Sequence, residues 1–181
     1  MKRPTASVSS QEGSVSTSVT NFEKDLLALL PRLRRFAHAL SRDQTDADDL
    51  CQVTLEKALG ARASWMPGTR MDSWMYRIMR NSWIDTARAR SRAAQTFVGE
   101  AAGANKAGDT SNSVEAGVLR GDIARAMGTL PDEQREAVAL VLVEGLAYRD
   151  AAAVLGIPIG TLTSRLVRGR QALMVELGED A

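Results

Sequence analysis

The sequence has very few of the side chains from which catalytic and metal sites are built. It contains one cysteine, Cys51, which excludes an intramolecular disulfide and a zinc site made of cysteines. It also contains one histidine, His38, which excludes a histidine-rich metal site and argues strongly against a Ser-His-Asp hydrolase. We therefore predict a protein that is not an enzyme, with no catalytic residue, no metal and no cofactor. Cys51 is expected to be a small core residue.

Long apolar runs and aromatic side chains are also scarce. No apolar stretch approaches the roughly 20 residues of a transmembrane helix, and no apolar stretch follows Lys2 and Arg3 as it would in a secretory signal. We expect a cytoplasmic protein without membrane insertion. Aromatic residues make up 4% of the chain and hydrophobic residues 44%, so the core must be mostly aliphatic. Stretches rich in Ala and Leu favour helices, and the predicted fold class is all-α.

Charge is segregated along the chain, although the net charge is only +1. Residues 61–92 hold 7 basic and 2 acidic side chains (net +5), and residues 146–170 hold 4 and 1 (net +3). The preceding segments are balanced or acidic, with net −1 over residues 21–60 and net −3 over residues 115–145. This alternation predicts two separate contacts with a polyanion, each flanked by a surface for another partner.

The pattern of apolar residues predicts two small helical domains. Residues 1–20, rich in Ser and Thr, are expected to be a disordered tail, and residues 93–113, without periodicity, a flexible linker. The first domain covers residues 21–92 and the second covers residues 114–181. Within the first domain, Pro31 is expected to kink a helix or divide it in two. The next helix is expected to be capped by Thr45 or Asp46.

The strongest local signal, LAYRDAAAVLGIPIGTLTSRL over residues 146–166, is typical of a helix-turn-helix. Gly156 can supply the left-handed conformation at the turn, and Pro158 can open the second helix. Small polar groups followed by arginines suit the DNA major groove, and the four candidates share one face: Thr161, Ser164, Arg165 and Arg168. A solvated face of an ordinary helical hairpin is the alternative, which the combination of turn and basic face disfavours.

A second candidate nucleic-acid surface lies in the first domain. There, basic side chains alternate with aromatic ones, a pattern that suits a single strand whose bases unstack. The candidates lie in a loop and on the following helix: Trp65, Arg70, Arg77, Arg80, Asn81 and Arg88. Tryptophans at helical spacing are also common in cores, which is the expectation for Trp74. The earlier run Asp46, Asp48 and Asp49 is either ordinary N-terminal capping or a surface for a basic protein partner.

These segments, in this order, resemble the bacterial extracytoplasmic-function (ECF, group 4) sigma factors of the sigma-70 family. DADDLCQVTLEKAL and WMYRIMRNSWIDTARAR resemble sigma region 2, and the segment from LPDEQREAV to RGRQAL resembles region 4. The stretch GIPIGTLTSRLVRGR is similar to the helix with which this group reads the −35 element. The resemblance covers about residues 21–90 and 115–177. Within this group, the sequence is similar to the sigma factors of the alphaproteobacterial general-stress-response branch.

The resemblance implies a protein that binds core RNA polymerase and directs promoter-specific initiation of transcription. Region 2 would recognise and melt the −10 element through Trp65, Arg70, Arg77, Arg80, Asn81 and Arg88. Region 4 would read the −35 element through Thr161, Ser164, Arg165 and Arg168. The β′ clamp helices of the polymerase would bind region 2 at Asp46, Asp49 and Gln52, and the β flap would bind region 4. Promoter DNA and an anti-sigma factor are the other implied partners.

Two other functions are compatible with parts of the sequence. A sigma-like decoy would bind an anti-sigma factor without acting at promoters, and it would not need Arg77, Arg80, Arg165 and Arg168. A repressor or activator that uses only its helix-turn-helix would not need the segments that resemble region 2.

Overall fold

A computed structural model describes the backbone of residues 12–96 and 114–178 and the side chains of residues 21–93 and 121–178. Every regular element in these ranges is helical, which confirms the predicted all-α class. We call residues 12–96 the first half and residues 114–178 the second half. The remaining residues of the predicted tail and linker lie outside the described parts of the chain.

The first half contains three helices: α1 (Glu12–Ser41), α2 (Gln44–Gly60) and α3 (Met71–Thr96). A short 3-10 turn at Arg62–Ser64 lies in the loop between α2 and α3. The helices pack on one another through fully buried side chains, among them Phe36, Met75 and Met79. Cys51 is buried as predicted, and burial raises the pKa of its thiol to about 11.

Two helices of the first half are longer and more continuous than expected. The structure keeps α1 as one helix across Pro31, which is exposed, because Leu26 and Leu33 on either side are buried against the same core. α1 begins at Glu12, within the predicted tail, since adding residues to an existing helix is far easier than starting one. α3 continues to Thr96 through a segment rich in Ala and Arg, both strong helix formers.

The cap of α2 also differs from the prediction. Asp43, and not Thr45 or Asp46, precedes the helix in an extended conformation. Its carboxylate accepts a hydrogen bond from the backbone N–H of Asp46 at 2.9 Å. Asp46 is therefore inside the first turn, where its side chain is free to bond elsewhere.

The second half contains α4 (Val114–Thr129), α5 (Asp132–Val138), α6 (Tyr148–Leu155) and α7 (Ile159–Glu176). α5 continues into a π-helical turn over Ala139–Val143, in which the Glu144 N–H bonds to the Ala139 carbonyl at 2.9 Å. Gly145 follows with φ of 69°, which reverses the chain towards α6. α7 packs closely on α5 at the buried Gly169, where an added Cβ would lie 2.7 Å from Val138.

The two halves are in contact with each other. α3 packs against α6, and α1 packs against α5 and the π-helical turn. The buried core runs across both halves, from Phe36 and Tyr76 to Leu140 and Leu146. Within the described residues, no single helix is long and apolar enough to cross a membrane.

Candidate nucleic-acid interface

The predicted helix-turn-helix is formed by α6, Gly156 to Pro158, and α7. α6 buries Ala151, Ala152 and Leu155, as the sequence predicts. Gly156 ends it with φ of 64° and ψ of 35°, the left-handed conformation that glycine adopts most easily. α6 and α7 are bent by 100° relative to each other, which lies within the range of about 90–120° typical of helix-turn-helix units.

α7 separates an apolar face from a polar one. Leu162 and Leu166 are buried, and on the other side Ser164 and Arg168 are exposed. The Arg168 Nε donates to the Ser164 backbone carbonyl at 3.2 Å, so the guanidinium lies along the exposed face. Thr161 is half-buried nearby. The structure therefore brings three of the four predicted −35 residues to one accessible face.

Arg165 lies at the edge of that face. Its side chain is only 16% exposed and forms an ion pair with the Glu133 carboxylate of α5, with Nη2 and Oε2 2.8 Å apart. The helical spacing explains this position, because Arg165 lies three residues after the buried Leu162 and four before the buried Gly169. In this conformation its guanidinium is held against α5.

The predicted −10 arginines and Asn81, on α3 and directly before it, fall into two groups. Three arginines of the first half bond to the second half. The Arg70 Nη1 lies 2.7 Å from the Asp150 carboxylate, the Arg77 Nη2 donates to the Ala153 carbonyl at 3.2 Å, and the Arg80 Nε lies 3.0 Å from the Glu136 carboxylate. The other group, Asn81 and Arg88, is exposed and further along the helix. The sequence alone did not predict this division, since it depends on how the two halves pack.

The tryptophans are more buried than an open base-stacking surface requires. Trp65 packs on Phe22, with ring centroids 5.3 Å apart, and Trp74 makes an edge contact with the same ring at 6.3 Å. Trp83 is half-buried, and the Arg90 guanidinium lies 5.8 Å from its ring centroid. Within the described residues the Trp65 Nε1 is buried and has no hydrogen-bond partner. The exposed apolar side chain of the loop is Met66.

The predicted polymerase-binding edge lies on α2. Asp49 and Gln52 are exposed, and the Gln52 amide donates to Glu56 at 3.1 Å. Asp46 accepts two hydrogen bonds from Arg90 of α3, at 2.7 and 2.5 Å. That hydrogen bonding outweighs partial burial and lowers the pKa of the Asp46 carboxyl. Asp46 therefore links α2 to α3, while Asp49 and Gln52 remain on the accessible edge.

Sequence reasoning missed the group of four side chains that we call the Glu144 cluster: Glu144, Arg32, Arg35 and Tyr76. The Glu144 side chain is fully buried, and it comes from the second half while its three partners come from the first. Two causes raise the pKa of the Tyr76 hydroxyl far above its usual value: burial, which is the larger, and the hydrogen bond to Glu144. The one available signal was an acidic residue directly after the apolar run ALVLV.

Comparisons with known proteins support the two-part organisation. Residues 26–80 match a family model described as the sigma2 domain of PhyR, and residues 120–173 match one described as sigma-70, region 4. The chain is 39% identical over 158 residues to the ECF RNA polymerase sigma factor EcfG of Rhodopseudomonas palustris, covering 86% of this chain and 84% of that protein. It is 36% identical over 144 residues to the ECF sigma factor SigE of Mycolicibacterium smegmatis, covering 78% of this chain and 56% of that protein.

A solved structure agrees with these relatives. The chain is similar to the sigma factor RpoE of Bartonella quintana, which was solved in complex with the anti-sigma factor NepR. The two share 34% sequence identity with a TM-score of 0.76, over 89% of this chain and 99% of that one. The chain belongs to the extracytoplasmic-function sigma factors of the sigma-70 family, and its first and second halves correspond to sigma regions 2 and 4.

Proposed function

We propose that this sigma factor directs core RNA polymerase to specific promoters by reading two DNA elements. Region 4 reads the −35 element as duplex, and region 2 recognises the −10 element and holds its melted strand. The observation that carries the proposal is the helix-turn-helix, in which α6 and α7 are bent by 100° around the left-handed Gly156. This geometry allows α7 to enter a major groove with its first turns facing the bases.

The exposed face of α7 has the chemistry for base recognition. Thr161 and Ser164 are short enough to let the helix backbone approach the base edges, and Arg168 can reach guanine acceptors or phosphates. Arg165 would join them after exchanging its ion pair with Glu133, which is 69% exposed and readily hydrated.

In region 2, the exposed Asn81 and Arg88 extend a basic surface along α3. Arg70, Arg77 and Arg80 would add to it, with Trp65 and the exposed Met66 in the preceding loop. A surface with several arginines and nearby aromatic side chains suits a single strand whose bases are held apart. Because the strand is bound only when unpaired, binding at this surface would favour the melted state of the −10 element.

Core polymerase would hold the two readers at a fixed distance. The β′ clamp helices would contact the α2 edge at Asp49 and Gln52, near the Asp46–Arg90 pair, and the β flap would contact region 4. Fixing both regions on one partner raises the effective concentration of each for its DNA element. We also propose that an anti-sigma factor binds this chain, since the similar RpoE was solved with one.

Run-off transcription with core polymerase tests the −35 role. On a promoter that the wild-type chain uses, the double variant Arg165→Ala, Arg168→Ala should lose most of its transcript, because each lost base contact costs about 1–3 kcal/mol. Arg170→Ala is the matched control, since Arg170 is exposed on α7 but lies away from the predicted reading face. An equal loss in all variants, or no loss in the double variant, would contradict the assignment.

One observation favours keeping the sigma-like decoy as a second candidate. Arg80, which the proposed −10 role needs on the surface, is only 19% exposed and pairs with Glu136 of region 4, and the exposed Arg77 donates to the Ala153 carbonyl. A decoy would bind an anti-sigma factor tightly. It would give no promoter-specific transcript at any concentration of core polymerase. The transcription assay separates the two functions directly.

A further inference from the structure

The Glu144 cluster joins region 4 to region 2 through a buried carboxylate. The Glu144 Oε2 accepts hydrogen bonds from the Tyr76 hydroxyl at 2.7 Å and the Arg32 Nε at 3.0 Å. The Oε1 accepts from the Arg35 Nε at 3.0 Å, and the Glu144 backbone carbonyl accepts from the Arg32 Nη2 at 2.6 Å. Every one of these donors belongs to region 2.

Local backbone structure in region 4 places this carboxylate at the contact. The π-helical turn Ala139–Val143 adds a residue to the last turn after α5, and Gly145 then turns the chain away with a left-handed φ of 69°. π-helical turns inside helices frequently occur at functional sites. Glu144, between the two, is directed at α1 and α3.

A buried carboxylate is tolerated only when charged and hydrogen-bonding partners compensate for the lost water. Here region 2 supplies all of the side-chain partners that the structure gives to Glu144. The cluster consequently favours one specific arrangement of the two regions, because a rotated or shifted contact would leave the Glu144 carboxylate or the Tyr76 hydroxyl buried without a partner.

That same arrangement covers part of the proposed −10 surface. The Arg77 guanidinium donates to the Ala153 carbonyl in α6, and the Arg80 side chain is 19% exposed and pairs with Glu136 of α5. Arg70 pairs with Asp150 at the start of α6. Arg70 and Arg77 remain exposed, so a melted DNA strand would compete with region 4 for their guanidinium groups. Arg80 would become fully accessible only after region 4 had moved away from α3.

We propose that the Glu144 cluster holds the sigma factor in a closed, autoinhibited state in which region 4 occupies the −10 arginines of region 2. The inference rests on the proposed −10 role of Arg77 and Arg80. Charge pairing supports it, since Arg70 and Arg80 of region 2 form ion pairs with Asp150 and Glu136 of region 4. The closed state weakens the binding of single-stranded DNA to the free chain, and separation of the regions on a partner makes the whole reading surface accessible.

The size of the inhibition depends on the fraction of open molecules. If one molecule in about ten is open, the apparent affinity of the free chain for a single strand is reduced about tenfold. A variant that opens the chain should recover that factor without any change in the DNA-binding residues.

Arg35→Glu is the primary variant, because Arg35 is 51% exposed and its replacement places a second carboxylate against Glu144 with little risk to folding. Arg34→Glu is the matched control, with the same charge change one residue away at an exposed position of α1. Glu144→Gln is a second opening variant that keeps the side-chain shape. Circular dichroism would verify that all three variants remain helical.

Opening would be measured by fluorescence transfer between dyes at Lys57→Cys in α2 and Gln171→Cys in α7. A Cys51→Ala background leaves only the two introduced thiols to label. Transfer efficiency should fall in Arg35→Glu and Glu144→Gln and match the wild type in Arg34→Glu. Unchanged transfer in both opening variants would overturn the proposal.

Inhibition would be measured by fluorescence anisotropy with a labelled single-stranded DNA of mixed sequence, about 20 nucleotides long, without polymerase. Arg35→Glu should bind this probe at least about fivefold more tightly than Arg34→Glu, and adding Arg77→Ala with Arg80→Ala should remove the gain. Comparison with Arg34→Glu cancels the general loss of affinity that any added negative charge causes. Equal affinity of the two variants would show that the contact is not inhibitory.

Run-off transcription by the wild-type chain distinguishes this inference from the function on which it rests. If transcription fails, the proposed function is overturned, and with it the inhibitory meaning of the contact, whatever the fluorescence transfer shows. If transcription succeeds and the fluorescence transfer or the probe affinities are unchanged, only the closed state is overturned.

Discussion

At the scale of single residues, the turn of the helix-turn-helix depends on the backbone of Gly156. Its φ of 64° lies in the left-handed region, where an L residue with a Cβ is strained even though nothing lies within 4 Å of the added atom. Gly156→Ala should therefore destabilise the protein by about 1–2 kcal/mol, the usual cost of a left-handed conformation for an L residue. Thermal unfolding followed by circular dichroism would measure it as a lower Tm.

Gly160→Ala is the control for that prediction. Gly160 is helical within the first turn of α7 and has equally open surroundings. Alanine there should leave the Tm unchanged or raise it slightly, because it reduces the freedom of the unfolded chain without strain in the fold. A loss of stability at Gly160 equal to that at Gly156 would contradict the conformational explanation.

The position of each residue along its own helix was predictable, and its long-range partner was not. Helical spacing alone predicts that Leu162 and Leu166 are buried and that Ser164 and Arg168 are accessible, as the structure shows. Arg77 and Arg80 also lie on α3 as predicted, but their partners Ala153 and Glu136 are more than 50 residues away. A sequence pattern with a period of a few residues carries no information about such pairs.

At the scale of secondary-structure elements, helix starts were harder to predict than helix faces. The sequence around α2 offers several residues that can cap a helix, and Asp43 is the one whose backbone is extended and whose carboxylate reaches the Asp46 N–H. Asp43→Ala should destabilise the protein by about 0.5–2 kcal/mol, since the backbone N–H of Asp46 loses its hydrogen-bond acceptor. Urea unfolding at neutral pH would measure the change.

Thr45→Ala is the matched control at the cap predicted from the sequence. Thr45 is exposed inside the first turn of α2, and the structure gives its side chain no capping role. Alanine is a better helix former than threonine, so this variant should be neutral or slightly more stable. A larger loss for Thr45→Ala than for Asp43→Ala would show that the helix begins where the sequence pattern placed it.

Pro31 and the π-helical turn show why local rules were insufficient for whole elements. Proline disfavours a helix interior, yet α1 continues through Pro31 because buried side chains on both sides hold it to one core. The turn at Ala139–Val143 has an ordinary apolar sequence, and its wider winding is visible only in the backbone hydrogen bond from Glu144 to Ala139. In both cases tertiary packing decided the local structure.

At the scale of the whole molecule, the alternation of charge has a meaning that the sequence did not reveal. The basic segments predicted two contacts with a polyanion, but two of those arginines pair with carboxylates of the other region: Arg70 with Asp150 and Arg80 with Glu136. The same side chains would serve DNA in one arrangement and the partner region in the other. The charge pattern of a sequence identifies the segments that can bind a polyanion. The packing of the two regions determines whether the arginines of those segments are accessible.

The central claim is that one chain carries two DNA readers that core polymerase holds at a fixed spacing. Run-off transcription with core polymerase on genomic promoter fragments of the host tests it most directly. Discrete transcripts that core polymerase alone does not make are predicted. Inserting about 5 base pairs between the two elements of such a promoter should abolish them, because half of a helical turn moves the −35 groove to the opposite side of the duplex. No transcript from any fragment, with tight binding to an anti-sigma factor, would contradict the claim and favour the decoy.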